Sequence, residues 1–416
     1  MGKALRCLKA ALGRLQTGWS ILGITLVGVL LVEGGLRLVF AVRDRFTAVP
    51  VPDPRVVAEG YGGATWPVVH YRELEQLQER WQPYVYFRQK PFRGETITIG
   101  DDGRRATWQS SANASDRSER RLLKVLTLGG SSLWGFGARN DQTIPSLLAR
   151  SLDEKGWRVE LKNLAEIGYV STQEVIALTH ELQAGYRPDL VIFYDGVNDT
   201  TSALLEGEPG LTTNEINRRH EFNLSQSPAR LTAALAVKMV RDSSSYRFAQ
   251  MVRRRFDGGT TSAQIAPATF KIPDVAEGVV RHYEANVALV ETLAKSFGFR
   301  PLFFWQPTIF NKPTRAAVER EEAQKFAWAE PFMSDVYGRI TISPKLKSDA
   351  AFHDLSTIFA GTEGLVFIDY CHTTEAGNAR IASEIAARVL DGLPGPKPAD
   401  RKPAGGDRGR GPNDVE

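Results

Sequence analysis

Apolar positions along the chain fall into three regimes. From Thr17 to Phe40 they are almost unbroken; from about Arg43 to Arg120 they are scattered among Pro, Gly and polar residues; from Leu122 they alternate between two periods. In this last region short β-branched or aromatic runs at 123–128, 159–164, 190–194, 301–305 and 365–368 predict strands. Between them lie stretches of helical spacing, with Ile144, Leu147, Leu148 and Leu152 in one and Val175, Ile176, Thr179 and Leu182 in the next. The second stops at Gly185, with Pro188 just beyond, as helix ends do. Strand and helix in alternation predict a flavodoxin-like three-layer α/β/α sandwich on a parallel five-stranded sheet, spanning about residues 121–392. Residues 202–299 break the rhythm. Helical stretches at 229–256 and 275–297, with the flexible link Gly258-Gly259-Thr260-Thr261-Ser262 between them, read as an insertion or cap over the sheet's edge.

The first regime reads as a transmembrane signal anchor over residues 17–41, long enough to span only if Glu33 and Arg37 lie near the far interface. Spaced four apart, those two can pair there. Lys3, Arg6, Lys9 and Arg14 make residues 1–16 a basic tail that stays in the cytoplasm, which puts everything after about residue 42 on the outer side. A cleaved signal peptide is the competing reading, but small residues at cleavage spacing are hard to find after Val32. Residues 42–120 read as a stalk packed on the main domain. It carries an aromatic island at 84–87, an alternating run at 96–99 and a turn at Gly100-Asp101-Asp102-Gly103. The tail at 393–416, rich in Pro, Gly, Arg and Asp, is expected to be disordered.

Composition narrows the function classes. With 416 residues, 42% hydrophobic and 24% charged, the chain can bury a sizeable core. Its 52 basic and 48 acidic residues are mixed throughout, so no nucleic-acid partner is implied. Two cysteines, Cys7 and Cys371, fall on opposite sides of the expected membrane and build neither a disulfide framework nor a thiolate metal site. No Walker loop, metal-ligand cluster or glycosidase-like carboxylate pair occurs; the expectation is no cofactor and no metal.

What the strand ends carry is specific. After the first strand comes Gly129-Gly130-Ser131-Ser132-Leu133-Trp134-Gly135, after the second Gly168, after the third Gly196-Val197-Asn198-Asp199, and after the last Asp369-Tyr370-Cys371-His372. Ligands bind at that edge of an open parallel sheet. A serine hydroxyl is a weak nucleophile unless a base takes its proton, and His372 is the only histidine in these motifs. Asp369, three residues earlier, can fix the imidazole tautomer and compensate its charge. An oxyanion would need preset donors: the N–H of Ser131, the N–H of Gly168 and the side-chain amide of Asn198. Each residue alone has a plainer reading, Asn198 and Asp199 as caps, Gly168 as a turn glycine, Asp-x-x-His as a surface turn. Their joint appearance, in order, each after an expected strand, is what those readings leave unexplained.

These residues resemble the SGNH hydrolases, also called GDSL-type esterases and lipases, from about Leu122 to Leu390. Gly129-x-Ser131 with Gly135, Gly168, Gly196-x-Asn198-Asp199 and Asp369-x-x-His372 carry the likeness. The resemblance implies Ser131 as nucleophile, His372 as base, Asp369 as its orienter, and Gly168 and Asn198 beside Ser131 as oxyanion donors. Gly130 departs from it, standing where the name-giving motif has aspartate. Ser132 is the alternative nucleophile, although Ser131 keeps the spacing to Gly135. Among weaker candidates, Asp195 reads as a turn cap and His353-Asp354 as a loop pair. His70, His180, His220 and His282 fall in no motif, and Trp134, Trp305 and Tyr169 read as core rather than a sugar-stacking surface. The expected function is a membrane-anchored serine esterase removing an acyl group, acetyl by analogy, from an extracytoplasmic carbohydrate or other ester. An O-acyltransferase using the same triad, or a catalytically silent glycan-binding protein, are the alternatives.

Overall fold

The computed structural model describes residues 2–47, 61, 63–110, 120–256 and 272–393. Its contacts divide the chain into two units, one of Met1–Pro52 with Ile216–Ala266 and one of Asp53–Glu215 with Pro267–Glu416. The expected tail, at 394–416, and the glycine link at 258–262 lie outside the described residues.

The larger unit is built on a sheet of β5 (Leu122–Gly129), β6 (Arg158–Asn163), β7 (Leu190–Asp195), β8 (Arg300–Trp305) and β9 (Phe352–Asp354). These five strands lie in the order β6-β5-β7-β8-β9, every pairing parallel. Counted within the sheet this is 2-1-3-4-5, the flavodoxin-like arrangement, whose order reverses between the first and third strands. The carboxyl ends of β5 and β7 therefore flank the switch point, in register as Gly129 beside Tyr194. All six residues of β7 are buried because helices cover both faces.

Strand alternation divides the core in two. Leu126, Leu128, Val191, Phe193, Phe303 and Trp305 face one side. There they meet α5 (Ser171–Gln183), α6 (Val197–Glu206), α10 (Ile272–Phe297) and α12 (Glu330–Ile342). Val125, Leu190, Ile192, Tyr194, Leu302 and Phe304 face α4 (Ile144–Glu154) and α14 (Glu375–Asp391) on the other. Each fully buried Leu, Ile or Phe in such a face contributes about 1.5–3 kcal/mol relative to exposure.

Three expectations are corrected here. The fifth strand is β9, not 365–368, and His353 and Asp354 lie on it rather than in a loop. Val366, Phe367 and Ile368 of the apolar run at 365–368 are buried, but its only ladder contact among the described residues is Phe367 with Thr373, because the Glu319 carboxylate takes the N–H groups of Val366 and Phe367. The helical stretch at 275–297 does not cap the sheet: Val275, Val279, Tyr283, Val287, Val290 and Ala294 recur at helical spacing and pack into the sandwich core. What leaves the sandwich is 216–266, and the single stretch expected at 229–256 is two helices, α8 (Pro228–Arg241) and α9 (Ser244–Phe256). A 3-10 turn at Asn140–Gln142 leads into the helix that begins at Ile144.

Residues 61–110 form α2 (Trp66–Gln76), an antiparallel hairpin of β1 (Glu79–Gln82) and β2 (Tyr86–Gln89), and a pair of β3 (Phe92–Arg93) and β4 (Thr98–Ile99). Glu73 on α2 accepts from the N–H groups of Glu95 (2.5 Å), Thr96 (3.0 Å) and Ile97 (3.0 Å), which fixes the approach to β4. In the smaller unit α1 (Gly2–Thr47) contains a stretch, Gln16–Arg43, of 28 residues and mean hydropathy 1.9. It is long and apolar enough to cross a membrane, and a signal sequence would satisfy the same criterion. Glu33 and Arg37 pair on it at 2.9 Å.

Candidate active site

Ser131 reaches its position through the turn that ends β5. Gly130 is extended, and Ser131 opens the four-residue helix α3 (Ser131–Trp134), closed by Gly135 at φ +104°. A side chain at Gly130 is impossible without movement: its Cβ would land inside van der Waals contact of Asn198 Nδ2. This gives a steric reason for glycine where the resembled motif has aspartate.

His372 comes from the other end of the chain on a loop closed by two bonds, Ile368 N–H to His372 O (2.9 Å) and Thr374 N–H to Val366 O (2.7 Å). Inside it, Asp369 Oδ1 accepts the N–H groups of Cys371 (2.9 Å) and His372 (2.8 Å), while Oδ2 lies 2.6 Å from His372 Nδ1. Burial pushes the Asp369 carboxyl up, but His372 and these two amides outweigh it and hold it below the usual carboxylate range. An ionised carboxylate only accepts, so Nδ1 carries the proton and Nε2 is left as the acceptor. Nε2 lies 2.7 Å from Ser131 Oγ. Phe136 stacks on the imidazole at 4.3 Å, and Ser131 and His372 are each 9% exposed.

Ser132, the alternative nucleophile, points elsewhere. Its Oγ lies 3.4 Å from Cys371 O and 3.4 Å from the Gln306 amide. The structure thus joins Ser131, His372 and Asp369 in one row and leaves Ser132 out of it. Asn198, in the first turn of α6, donates from Nδ2 to Tyr169 O at 2.7 Å and lies against Gly130. Gly168 has φ +80°, with nothing within 4 Å of where a Cβ would be, and immediately precedes Tyr169. Asn198 therefore belongs to the wall beside Gly130, and Gly168 to the turn leading into Tyr169, whose carbonyl holds the Asn198 amide. Ala at 130 must push the Asn198 amide aside, and loss of one oxyanion donor typically costs on the order of 100-fold in turnover. Gly130→Ala is expected to lower kcat on an aryl acetate by that amount, with Asn198→Ala matching it and the double variant adding little. Unchanged kcat in Gly130→Ala would remove Asn198 from the site.

The remaining candidates separate cleanly. Trp134, Trp305 and Tyr169 are at most 1% exposed, so they are core and offer no sugar-stacking surface. Asp195, at the carboxyl end of β7, is buried; burial, together with neighbouring Asp199, pushes it up to about 8 against the opposing pull of Glu174 and Tyr283. Glu174 is raised well above its usual value, again by burial first and Asp195 next. Asp199 binds Ser171 Oγ at 2.5 Å and caps α5. Asp369, Cys371 and His372 are the one group of potential metal donors among the described residues. They do not fit a metal, since Asp369 and His372 are engaged with each other and with Ser131, and burial keeps the Cys371 thiol protonated.

Sequence reasoning missed the residues that brace this arrangement. Arg105, buried and stacked on Trp134 at 4.4 Å, donates to the carbonyls of Gly135 (2.5 Å), Ala138 (2.6 Å) and Thr96 (3.3 Å). Burial lowers its pKa to about 9, partly offset by Glu73, which still leaves it charged at neutral pH. His70, assigned to no motif, accepts from Gly137 N–H at 3.2 Å and meets Thr96 Oγ1 at 3.0 Å. Lys312 and Glu319 form a buried ion pair at 2.5 Å, from which Lys312 also reaches Gly364 O at 2.6 Å. Glu319 then holds Val366 and Phe367, at the base of the loop that carries Asp369 and His372.

No family model matches the chain, and no curated protein matches it. Among solved structures it is similar to a lipolytic protein of the G-D-S-L family from Veillonella parvula, at 11% identity and TM-score 0.36 over 65% of this chain and 100% of that one. It is also similar to the lipase Lip_vut3 from a goat rumen metagenome, at 12% identity and TM-score 0.36 over 64% and 97%. A third is the acetyl xylan esterase AlAXEase, at 14% identity and TM-score 0.32 over 64% and 100%. Similarity at these values says nothing about the chemistry, which follows from the residues themselves.

Proposed function

We propose that this chain is a serine esterase of the SGNH type, held on a membrane by α1. The observation that carries the proposal is the row Asp369 Oδ2, His372 Nδ1, His372 Nε2 and Ser131 Oγ, with gaps of 2.6 and 2.7 Å. In it, Ser131 Oγ attacks an ester carbonyl as its proton passes to His372 Nε2. Asp369 keeps the imidazole in the required tautomer and balances the imidazolium. The oxyanion is received by the N–H of Ser131, the N–H of Gly168 and the Asn198 amide, and the departing alcohol takes the proton from Nε2. Water then repeats the sequence on the acyl-enzyme and regenerates Ser131.

The low exposure of Ser131 and His372 and the Phe136 ring over the imidazole favour a short acyl group. With the motif resemblance, this supports an acetyl ester, on a carbohydrate by analogy. The basic residues that precede the Gln16–Arg43 stretch support an uncleaved anchor with residues 1–16 in the cytoplasm and the catalytic unit on the opposite side.

The deciding experiment treats the full chain, in detergent, with a fluorophosphonate probe and then with an aryl acetate. Covalent labelling mapped to Ser131, and acetate release that the probe abolishes, are expected. A folded sample that neither labels nor releases acetate would replace the esterase with a silent binding protein.

A further inference from the structure

The segment that leaves the sandwich carries apolar surface that nothing among the described residues of its own unit covers. On α8, Leu231, Leu235 and Met239 recur every fourth residue and form one stripe, with Met239 75% exposed. Arg230, Lys238 and Arg241 share the adjoining face of the same helix. On α9, Phe248 and Val252 are exposed one turn apart. Soluble surfaces rarely keep apolar side chains in such continuous rows. A helix with an apolar stripe beside a basic face is the pattern of elements that lie in a membrane interface.

What says that lipid is the occupant is the way this segment is fastened. α9 runs along the last third of the apolar stretch of α1. Glu33 accepts the N–H of Ser244 (2.7 Å), the N–H of Ser245 (3.0 Å) and Ser245 Oγ (2.9 Å); Arg247 lies over the Phe40 ring at 4.3 Å; Arg43 meets Met251 Sδ at 3.1 Å. At about 1.5 Å per residue, 28 residues exceed the roughly 30 Å of a hydrocarbon core, so one end of the stretch reaches into the interface. A lone carboxylate at that depth is costly, and Glu33 is partnered by Arg37 and by the first turn of α9. That turn must then sit at the depth of Glu33, and α8 ends only two residues before it.

We infer that α8 and α9 form an interfacial membrane element clamped to the spanning helix by Glu33, their apolar rows against acyl chains and Arg230, Lys238 and Arg241 toward anionic headgroups. This rests on α1 being a membrane anchor, and the test separates the two. Full-length protein carrying Cys7→Ser and Cys371→Ser receives a single cysteine at Val27, Met239 or Glu363, each labelled with an environment-sensitive fluorophore. The labelled protein is reconstituted into vesicles of phosphatidylcholine and phosphatidylglycerol. Labels at 27 and 239 are expected to be quenched by doxyl-labelled lipid and shielded from iodide, and the label at 363 the reverse. Omitting phosphatidylglycerol, or introducing Glu33→Gln, is expected to return position 239 toward iodide access while 27 stays shielded. Iodide access at 239 equal to that at 363, with 27 shielded, overturns the inference and leaves the anchor standing; access at 27 overturns both. Disulfide-linked dimers formed by the unlabelled Met239→Cys protein in the same vesicles under a mild oxidant such as copper phenanthroline would assign the stripe to a second copy instead.

Discussion

Ser131→Ala is expected to lower kcat on a small aryl acetate by about four orders of magnitude or more, the scale seen when a triad member is removed elsewhere. KM and the melting temperature should barely move, because the lost atom is one oxygen at a helix start, held only through His372. The same geometry orders a series. Asp369→Asn keeps the loop's shape but turns an acceptor into a donor toward Nδ1, which puts the imidazole in the wrong tautomer, so a loss of comparable size is expected. His372→Ala added to Ser131→Ala should cost nothing further, since the row acts as one device. Ser132→Ala should leave turnover near that of the parent, its hydroxyl being turned toward Cys371 O and Gln306. Steady-state kinetics on the four purified variants checks this order. Equal activity in Ser131→Ala and parent would remove the nucleophile and the esterase reading with it.

How far the sequence reveals this architecture depends on where the information lies. β5, β7 and β8 are legible because strands covered on both faces must be apolar at nearly every position, and β6, an edge strand, because Val159 and Leu161 alternate with charged residues. Their carboxyl ends then collect Ser131, Gly168 and Asn198 by topology alone. The last strand is not legible. β9 is a three-residue edge with little periodic signal, whereas 365–368 is apolar for a different reason, to seat the loop that presents His372. α10 misleads in the same way: its stripe is visible in the sequence, but the break at 216–266 before it disguises which surface it meets. Least visible are Arg105, His70 and the Lys312–Glu319 pair. Their bonds cross from about seven to nearly seventy positions of chain with no repeat to mark them, and a buried charge looks like any other until its partner is placed.

Lys312 and Glu319 are therefore where a change far from the chemistry should tell most. Both side chains are fully buried, and Glu319 has four partners: Lys312 and Ala316 N–H on Oε2, and the Val366 and Phe367 N–H groups on Oε1. Removing one member of such a pair leaves an uncompensated charge inside, which typically costs about 3–5 kcal/mol. For a catalytic unit of this size, that corresponds to a fall in melting temperature on the order of 10 °C. Lys312→Met is expected to show that fall. Lys312→Met with Glu319→Gln, which removes both charges and keeps a side-chain carbonyl for the 366–367 amides, should recover part of it. Activity separates bracing from mere packing. The loop held by Glu319 carries Asp369 and His372, so a shift of about 1 Å in Nε2 is enough to lower kcat roughly 100-fold at temperatures where the variant is still folded. KM for a small ester should change far less. A double-mutant cycle in which the two substitutions simply add, or a Lys312→Met protein with unchanged kcat, would show that the pair stabilises the fold without setting the position of His372.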